Sequence, residues 1–260
     1  MKYIVLSFDD GRYDFVKNAM PVLIAEGIPA TLNVITGVLD GKTQLESFSS
    51  EKKFINKNDL LFIQNNNIEI ANHSSKHTND VGDIKTALSY LQDRINIRKI
   101  GFASPHSELY SKNFSKFANL LSEDTLYLRS GNQLKRDGYL HLVIYLIFRF
   151  FHFASFFYIY NKRNIIDLNK KYKFYPSITW NCEIDNKDIM AIVNKMYDNQ
   201  AIILNIHSVL AKHDVGYGKD KWFIDLDEFK SFIHWVKSYN DLKIITNQEL
   251  YYINQKLVLL

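Results

Sequence analysis

Short apolar runs alternate with stretches of helical periodicity along most of the 260-residue chain, the order expected of an α/β protein built on a parallel sheet. Strands are predicted at Tyr3–Phe8, Ala30–Ile35, Ile68–Ala71, Ile100–Phe102, Thr125–Arg129, Ala201–Ile206 and Leu242–Thr246. Helices are predicted near Tyr13–Glu26, Lys57–Gln64, Val81–Ile97, Ser111–Leu121, Asn186–Asp198 and Leu226–Tyr239. Seven such strands point to a barrel-like closure. No linker or internal repeat interrupts the rhythm, so a single domain over residues 1–260 is expected.

One segment breaks the pattern. Tyr139–Tyr160 is mostly apolar and long enough to span a bilayer, yet it carries His141, Arg149 and His152, which argues against a simple transmembrane helix. On a helix His141, Tyr145, Arg149, His152 and Ser155 form one narrow polar stripe on an otherwise apolar cylinder. Two readings follow. The segment lies in a membrane interface as a peripheral contact, with Lys135, Arg136, Lys162 and Arg163 near lipid phosphates, or residues 134–164 are an apolar insertion packed on the domain or in a dimer contact.

Composition sharpens this. The chain has 16 Tyr, 18 Phe and 3 Trp, and ten of these lie in that one segment, so the aromatic excess belongs to the insertion rather than to the fold. A hydrophobic share of 47% with 23% charged residues excludes disorder and allows a sizeable core. The net charge of +4 is far below the footprint of a dedicated nucleic-acid binder, and no nucleic-acid motif accompanies it. A single cysteine, Cys182, excludes an intrachain disulfide and a thiolate zinc cluster, so any metal must use histidines and carboxylates. The apolar run before Asp9 is too short for a signal peptide, and a cytoplasmic location is expected, at most peripheral at the inner face of the membrane.

Three groups of metal-compatible residues fall at the carboxyl ends of predicted strands, where α/β sheets place their active sites. Ser7-Phe8-Asp9-Asp10-Gly11 follows the first strand, and its adjacent carboxylates point in different directions. His73-Ser74-Ser75-Lys76-His77 follows the third, and its i, i+4 spacing puts both imidazoles on one face of a helical turn. His207 ends the apolar strand Ala201–Ile206. Each alone also reads as a solvated turn or a packed imidazole. Together they describe a hydrolytic site of two histidines and one aspartate on a divalent cation whose bound water becomes acidic.

These motifs resemble those of the polysaccharide deacetylases of the NodB-homology type, carbohydrate esterase family four, over nearly the whole chain. Ser7-Phe8-Asp9-Asp10-Gly11 is similar to the family's Thr-Phe-Asp-Asp-Gly, and His73-Ser74-Ser75-Lys76-His77 to its His-Ser/Thr-x-x-His. The resemblance implies a distorted (β/α) barrel, Asp10, His73 and His77 as ligands of zinc or of cobalt, nickel or manganese, Asp9 as general base and His207 as general acid. Ala103-Ser104-Pro105-His106 corresponds to the Arg-x-Pro-Tyr motif, with the backbone N–H of His106 as oxyanion donor. Ala103 replaces the arginine that orients the base. The Asp-Trp pair that steadies the acid maps to Thr179-Trp180, with Glu183 and Asp185 either replacing the aspartate or starting a helix. Asn205 stands two residues before His207, where a leucine is usual, and Leu204 is displaced by one.

The implied activity is removal of N-acetyl groups from an amino sugar of a polysaccharide or a lipid-linked glycan precursor during surface polysaccharide biosynthesis, with His106, Trp180 and Leu204 touching substrate. Two alternatives stay open: a deformylase or O-acetyl esterase on a related sugar, and a catalytically silent glycan-binding protein.

Overall fold

A computed structural model describes residues 1–45, 53–109, 113–118, 124–131, 139–151 and 154–259. Its strands are β1 (Lys2–Phe8), β2 (Ala30–Val34), β3 (Ile68–Asn72), β4 (Ile100–Ala103), β5 (Thr125–Arg129), β6 (Ile166–Asp167), β7 (Ile178–Thr179), β8 (Gln200–Ile206), β9 (Ser208–Leu210), β10 (Phe223–Asp225) and β11 (Leu242–Ile245). The helices are α1 (Met20–Glu26), α2 (Thr36–Leu39), α3 (Asp59–Gln64), α4 (Val81–Ile95), α5 (Phe114–Ala118), α6 (Tyr139–Phe151), α7 (Ala154–Asn161), α8 (Asn186–Val193), α9 (Leu226–Lys237) and α10 (Asn247–Val258).

The seven expected strands form one parallel sheet, curled into a half-barrel. Strand order is β5-β4-β3-β2-β1-β8-β6, with β11 on β1 and β7 on β8, and the short β6 alone runs antiparallel. The lower half of β1 pairs with β11 and its upper half with β2, so β1 delivers its last residues to the centre of the sheet. Both faces are covered, which is why the strands read as unbroken apolar runs. Ile4, Leu6 and Phe8 pack outward in a cluster with Phe15, Leu23 and Phe229 of the surrounding helices. Val5 and Ile203 pack on the opposite face with Ile245 and Leu250.

That inner face also carries a buried polar network. Tyr127 Oη donates to Glu69 at 2.6 Å and Thr31 Oγ1 to Glu69 at 2.8 Å, while Asn247 donates its backbone N–H to Thr31 and its amide to Ser7. Burial pushes the Glu69 carboxyl above its usual value. Tyr127 needs room for this contact: a Cβ on Gly101 would stand 1.9 Å from its ring.

Several elements depart from expectation. Across Tyr13–Glu26 the first turns are π-helical, Phe15–Ala19, before α1, because Pro21 has no N–H to continue an α ladder. The last helix, α10, was not anticipated, although Thr246 and Glu249 form a capping box that marks its start. The aromatic segment is two helices, α6 and α7, rather than one. Phe148 and Phe157 are buried with ring centroids 4.9 Å apart, and α7 packs beside α8, where the Lys195 ammonium lies over Tyr158. Among the described residues no helix is long and apolar enough to cross a membrane. The side chains of His141, Tyr145 and Arg149, together with Lys135, Arg136 and His152, lie outside the described residues, so the polar stripe is not described.

Candidate active site

The carboxyl ends of β1, β3, β4, β7 and β8 meet at a cavity of about 320 Å³. Asp9 and Asp10 leave β1 through consecutive left-handed residues, Asp10 (φ 73°) and Gly11 (φ 70°), which aim the two carboxylates apart. Ser74, His77, His106 and Ser107 also have positive φ. Left-handed backbone costs a non-glycine residue on the order of 1–3 kcal/mol, and its clustering here is the mark of a site held by its surroundings.

Asp10 Oδ1 stands 3.5 Å from His73 Nε2 and 3.5 Å from His77 Nε2, buried and, among the described residues, without a hydrogen-bond partner. The three ligand atoms lie within 4.8 Å of one another. His73 Nδ1–H donates to the Ala103 carbonyl at 2.8 Å, which fixes the tautomer that leaves the Nε2 lone pair facing Asp10. His77 is kept neutral: burial, reinforced by His73, takes it down to about 4. Burial opposes the charge on Asp10, but the His73 imidazole, His207 and Arg12 together hold its carboxyl well below the usual range. An unsatisfied carboxylate oxygen facing two imidazole lone pairs is a donor set that fits a divalent cation.

The His73–His77 pair does not form the expected helical turn. Ser74 is left-handed, its N–H is taken by Asn72 Oδ1 at 2.7 Å, and the carbonyls of Ser74 and Ser75 accept from Thr36 and Gly37 at the start of α2. The imidazoles converge through this braced loop.

Asp9 faces the opposite way. Arg129, the last residue of β5, donates from Nη2 to both of its carboxylate oxygens at 2.6 and 2.7 Å, and Asn33 donates to Oδ1 at 2.7 Å. Burial alone would push the Asp9 carboxyl up, but Arg129, with His73 and His207, holds it below its usual value. Arg129 is the Cα partner of Ala103 across β4 and β5. A guanidinium thus reaches Asp9 from the strand beside Ala103.

Residues 1–108 match the polysaccharide deacetylase family model. Over those residues the chain is similar to the polysaccharide deacetylases, and its fold is similar to theirs. A search of curated proteins found no match. Among solved structures, a family 4 acetyl xylan esterase from Clostridium thermocellum, in complex with a cobalt ion, is 14% identical. It superposes with a TM-score of 0.52 over 96% of this chain and 91% of its own, a likeness of fold. An esterase domain of a xylanase from the hindgut metagenome of Trinervitermes trinervoides has a TM-score of 0.49 at 14% identity, covering 96% and 90% of the two chains. A Streptococcus pyogenes deacetylase in complex with acetate has a TM-score of 0.38 at 23% identity, covering 46% and 53%.

Beyond the matched residues the deacetylase pattern is rebuilt. His207 lines the cavity, but its Nδ1 is buried without a hydrogen-bond partner among the described residues. Burial pushes its imidazole below the usual value despite Asp10 and Asp9, and Arg12 acts in the same direction as burial. Asp185 caps α8 in a capping box with Asp188, and Glu183 pairs with Lys221, so neither replaces the missing aspartate.

Trp180 and Leu204, expected to touch substrate, do not reach the cavity. Trp180 is 1% exposed with its ring 4.7 Å from Phe232, and Leu204 is in the same outer core. The period of two along a strand is the reason: Asn205 and His207 share the cavity face, as does Thr179, while their neighbours point away. Trp222, which sequence reading missed, takes the aromatic position, its ring 5.0 Å from His207. His106 lines the cavity with its ring 4.3 Å from His77. Arg129 had one sequence signal, a charged residue closing the apolar strand Thr125–Arg129; Trp222 had none.

Proposed function

We propose that the protein is a metal-dependent hydrolase that removes N-acetyl groups from an amino sugar of a glycan or a lipid-linked glycan precursor. The observation that carries this is the convergence of the unpartnered Asp10 oxygen with His73 and His77, beside an arginine-held Asp9, in one cavity. Asp10, His73 and His77 would hold the ion, zinc or alternatively cobalt, nickel or manganese; a cobalt ion accompanies the clostridial esterase. When bound, it acidifies water and polarises an acyl carbonyl.

The remaining work falls to the protein's own groups. Asp9, ionised and oriented by Arg129 and Asn33, takes a proton from the attacking water. The backbone N–H of His106 serves in this reading as an oxyanion donor. His207 delivers a proton to the departing amine, and Trp222 offers its indole face to a sugar ring. The test is acetate release from N-acetylated oligosaccharides with metal content measured alongside: Asp10→Asn or His73→Ala should abolish both metal retention and turnover. Full activity of a metal-free His73→Ala preparation would overturn the mechanism.

One observation favours O-acetyl ester cleavage as a second reading. An alcohol leaves with less proton assistance than an amine, and among the described residues no carboxylate hydrogen-bonds to His207 Nδ1, while burial outweighs the pull of Asp10 and Asp9 and lowers its value. Acetate release from an O-acetylated xylan against an N-acetylated oligosaccharide separates the two.

The insertion, residues 134–164 within one catalytic domain spanning 1–260, supports a peripheral membrane contact. Val143, Leu146 and Phe150 recur at helical spacing on α6 and are exposed, Phe150 by 82%, with exposed Lys162 and Arg163 nearby in sequence. Sedimentation with anionic vesicles should pull down the protein and spare a Leu146→Ser/Phe150→Ser variant; equal sedimentation of both rejects the contact.

A further inference from the structure

The proposed reaction gives no task to Arg12. The left-handed turn through Asp10 and Gly11 folds this side chain back into the cavity, where Nε donates to Asp10 Oδ2 at 3.1 Å and Nη1 to Ser208 Oγ at 3.1 Å. The guanidinium therefore stands between a metal-ligand candidate and the residue that follows His207. It is only 8% exposed. Two of its five N–H donors are used, and Nη2 has no partner among the described residues. A buried guanidinium with unused donors facing a cavity is matched to an acceptor that arrives with the ligand.

The charge balance points the same way. Asp9 is matched by Arg129 and Asp10 by Arg12. A divalent ion held by Asp10, His73 and His77 would then leave two positive charges uncompensated, in a cavity that no further carboxylate of the described residues lines. A neutral sugar does not answer that field; an anionic one does.

We propose that Arg12 is an anion-recognising residue and that the substrate is a glycan carrying a carboxylate or phosphate close to the acylated amino sugar. This rests on the deacetylase reading and narrows its substrate class. Arg12 forks onto the anion with the donors that Asp10 and Ser208 leave unused.

The test titrates zinc-loaded protein with three N-acetylated oligosaccharides of equal length, one uncharged, one with a neighbouring uronate and one with a neighbouring phosphate, at low and high ionic strength. One anionic ligand should bind about tenfold tighter than the uncharged one, and which one names the anion. High salt should shrink the preference, Arg12→Gln should remove it, and Arg12→Lys should keep part of it, all with zinc content unchanged. Equal affinity for all three ligands overturns the proposal, as does a preference retained in Arg12→Gln. Joint loss of zinc and of all three affinities in Arg12→Gln also overturns it, making Arg12 a strut for Asp10. Acetate release on the same set bears on the deacetylase reading separately: binding preference without turnover rejects that reading and leaves this one standing.

Discussion

The two sides of the cavity are built by different rules. On the side of β1 to β5, Asp9 is gripped by Arg129 and Asn33, His73 is braced by the Ala103 carbonyl, and the unsatisfied Asp10 Oδ1 faces two imidazole nitrogens. On the side of β7 and β8, the Nδ1 of His207 and the Oδ1 of Asn205 are buried without partners among the described residues. The family match ends at residue 108, so the gripped side lies mostly inside it and the loose side beyond it. Arg129 is the exception, a gripping residue from beyond the match. The lesson is that a base must be held before the substrate arrives, whereas an acid can be completed by the substrate or its leaving group.

Removing the grip is the strongest way to break this contrast. Arg129→Ala strands a buried carboxylate, at a cost of about 3–5 kcal/mol in stability, and should lower kcat by about 100-fold or more in whatever remains folded. Arg129→Lys keeps the charge without the fork, so it should fold well and still lose turnover, with KM nearly unchanged. Ala103→Arg in the Arg129→Ala background should recover more turnover than Arg129→Ala alone, because positions 103 and 129 are cross-strand partners. No recovery and no pH shift in any of these variants would make Arg129 a structural residue only.

A smaller effect is expected on the loose side. His207→Ala should slow amide turnover by about 10- to 100-fold with little change in KM, and should slow ester turnover less. Equal losses on both substrates would remove the acid role.

The smallest effect is a displacement of the pH profile. As the proposed base Asp9 works ionised, and its value lies below the usual 3.8, so activity should persist until the pH falls below that value. As the proposed acid His207 works protonated, and its value lies below the usual 6.5, so activity should decline as pH rises through the region under 6.5. The optimum therefore sits on the acid side of an ordinary imidazole. An alkaline limb above pH 7 that persists in His207→Ala would contradict the assignment.

Much of the fold was legible because parallel strands buried on both faces must be apolar throughout and must be separated by amphipathic helices. Asp9, Asp10, His73, His77 and His207 were legible because each sits where an apolar run stops. The details of placement were not. Trp180 and Leu204 adjoin cavity residues in sequence, yet a one-residue step along a strand reverses the face. The His73–His77 spacing suits a helix, and only the hydrogen bonds that Ser74 N–H donates to Asn72 and that the Ser74 and Ser75 carbonyls accept from Thr36 and Gly37 hold that segment in its left-handed turn. Trp222 comes from a polar stretch that carries no periodicity at all.

By itself the amino-acid order determined the run of strands and helices, the concentration of aromatics between 139 and 160, and the restriction of any metal to histidine and carboxylate ligands, because composition and periodicity are properties of short windows. Only the tertiary structure decided which guanidinium holds Asp9, which indole faces His207, and that Arg12 folds back beside Asp10. Those choices depend on sheet register, which brings together side chains more than a hundred residues apart, such as Asp9 with Arg129 and Arg12 with Ser208.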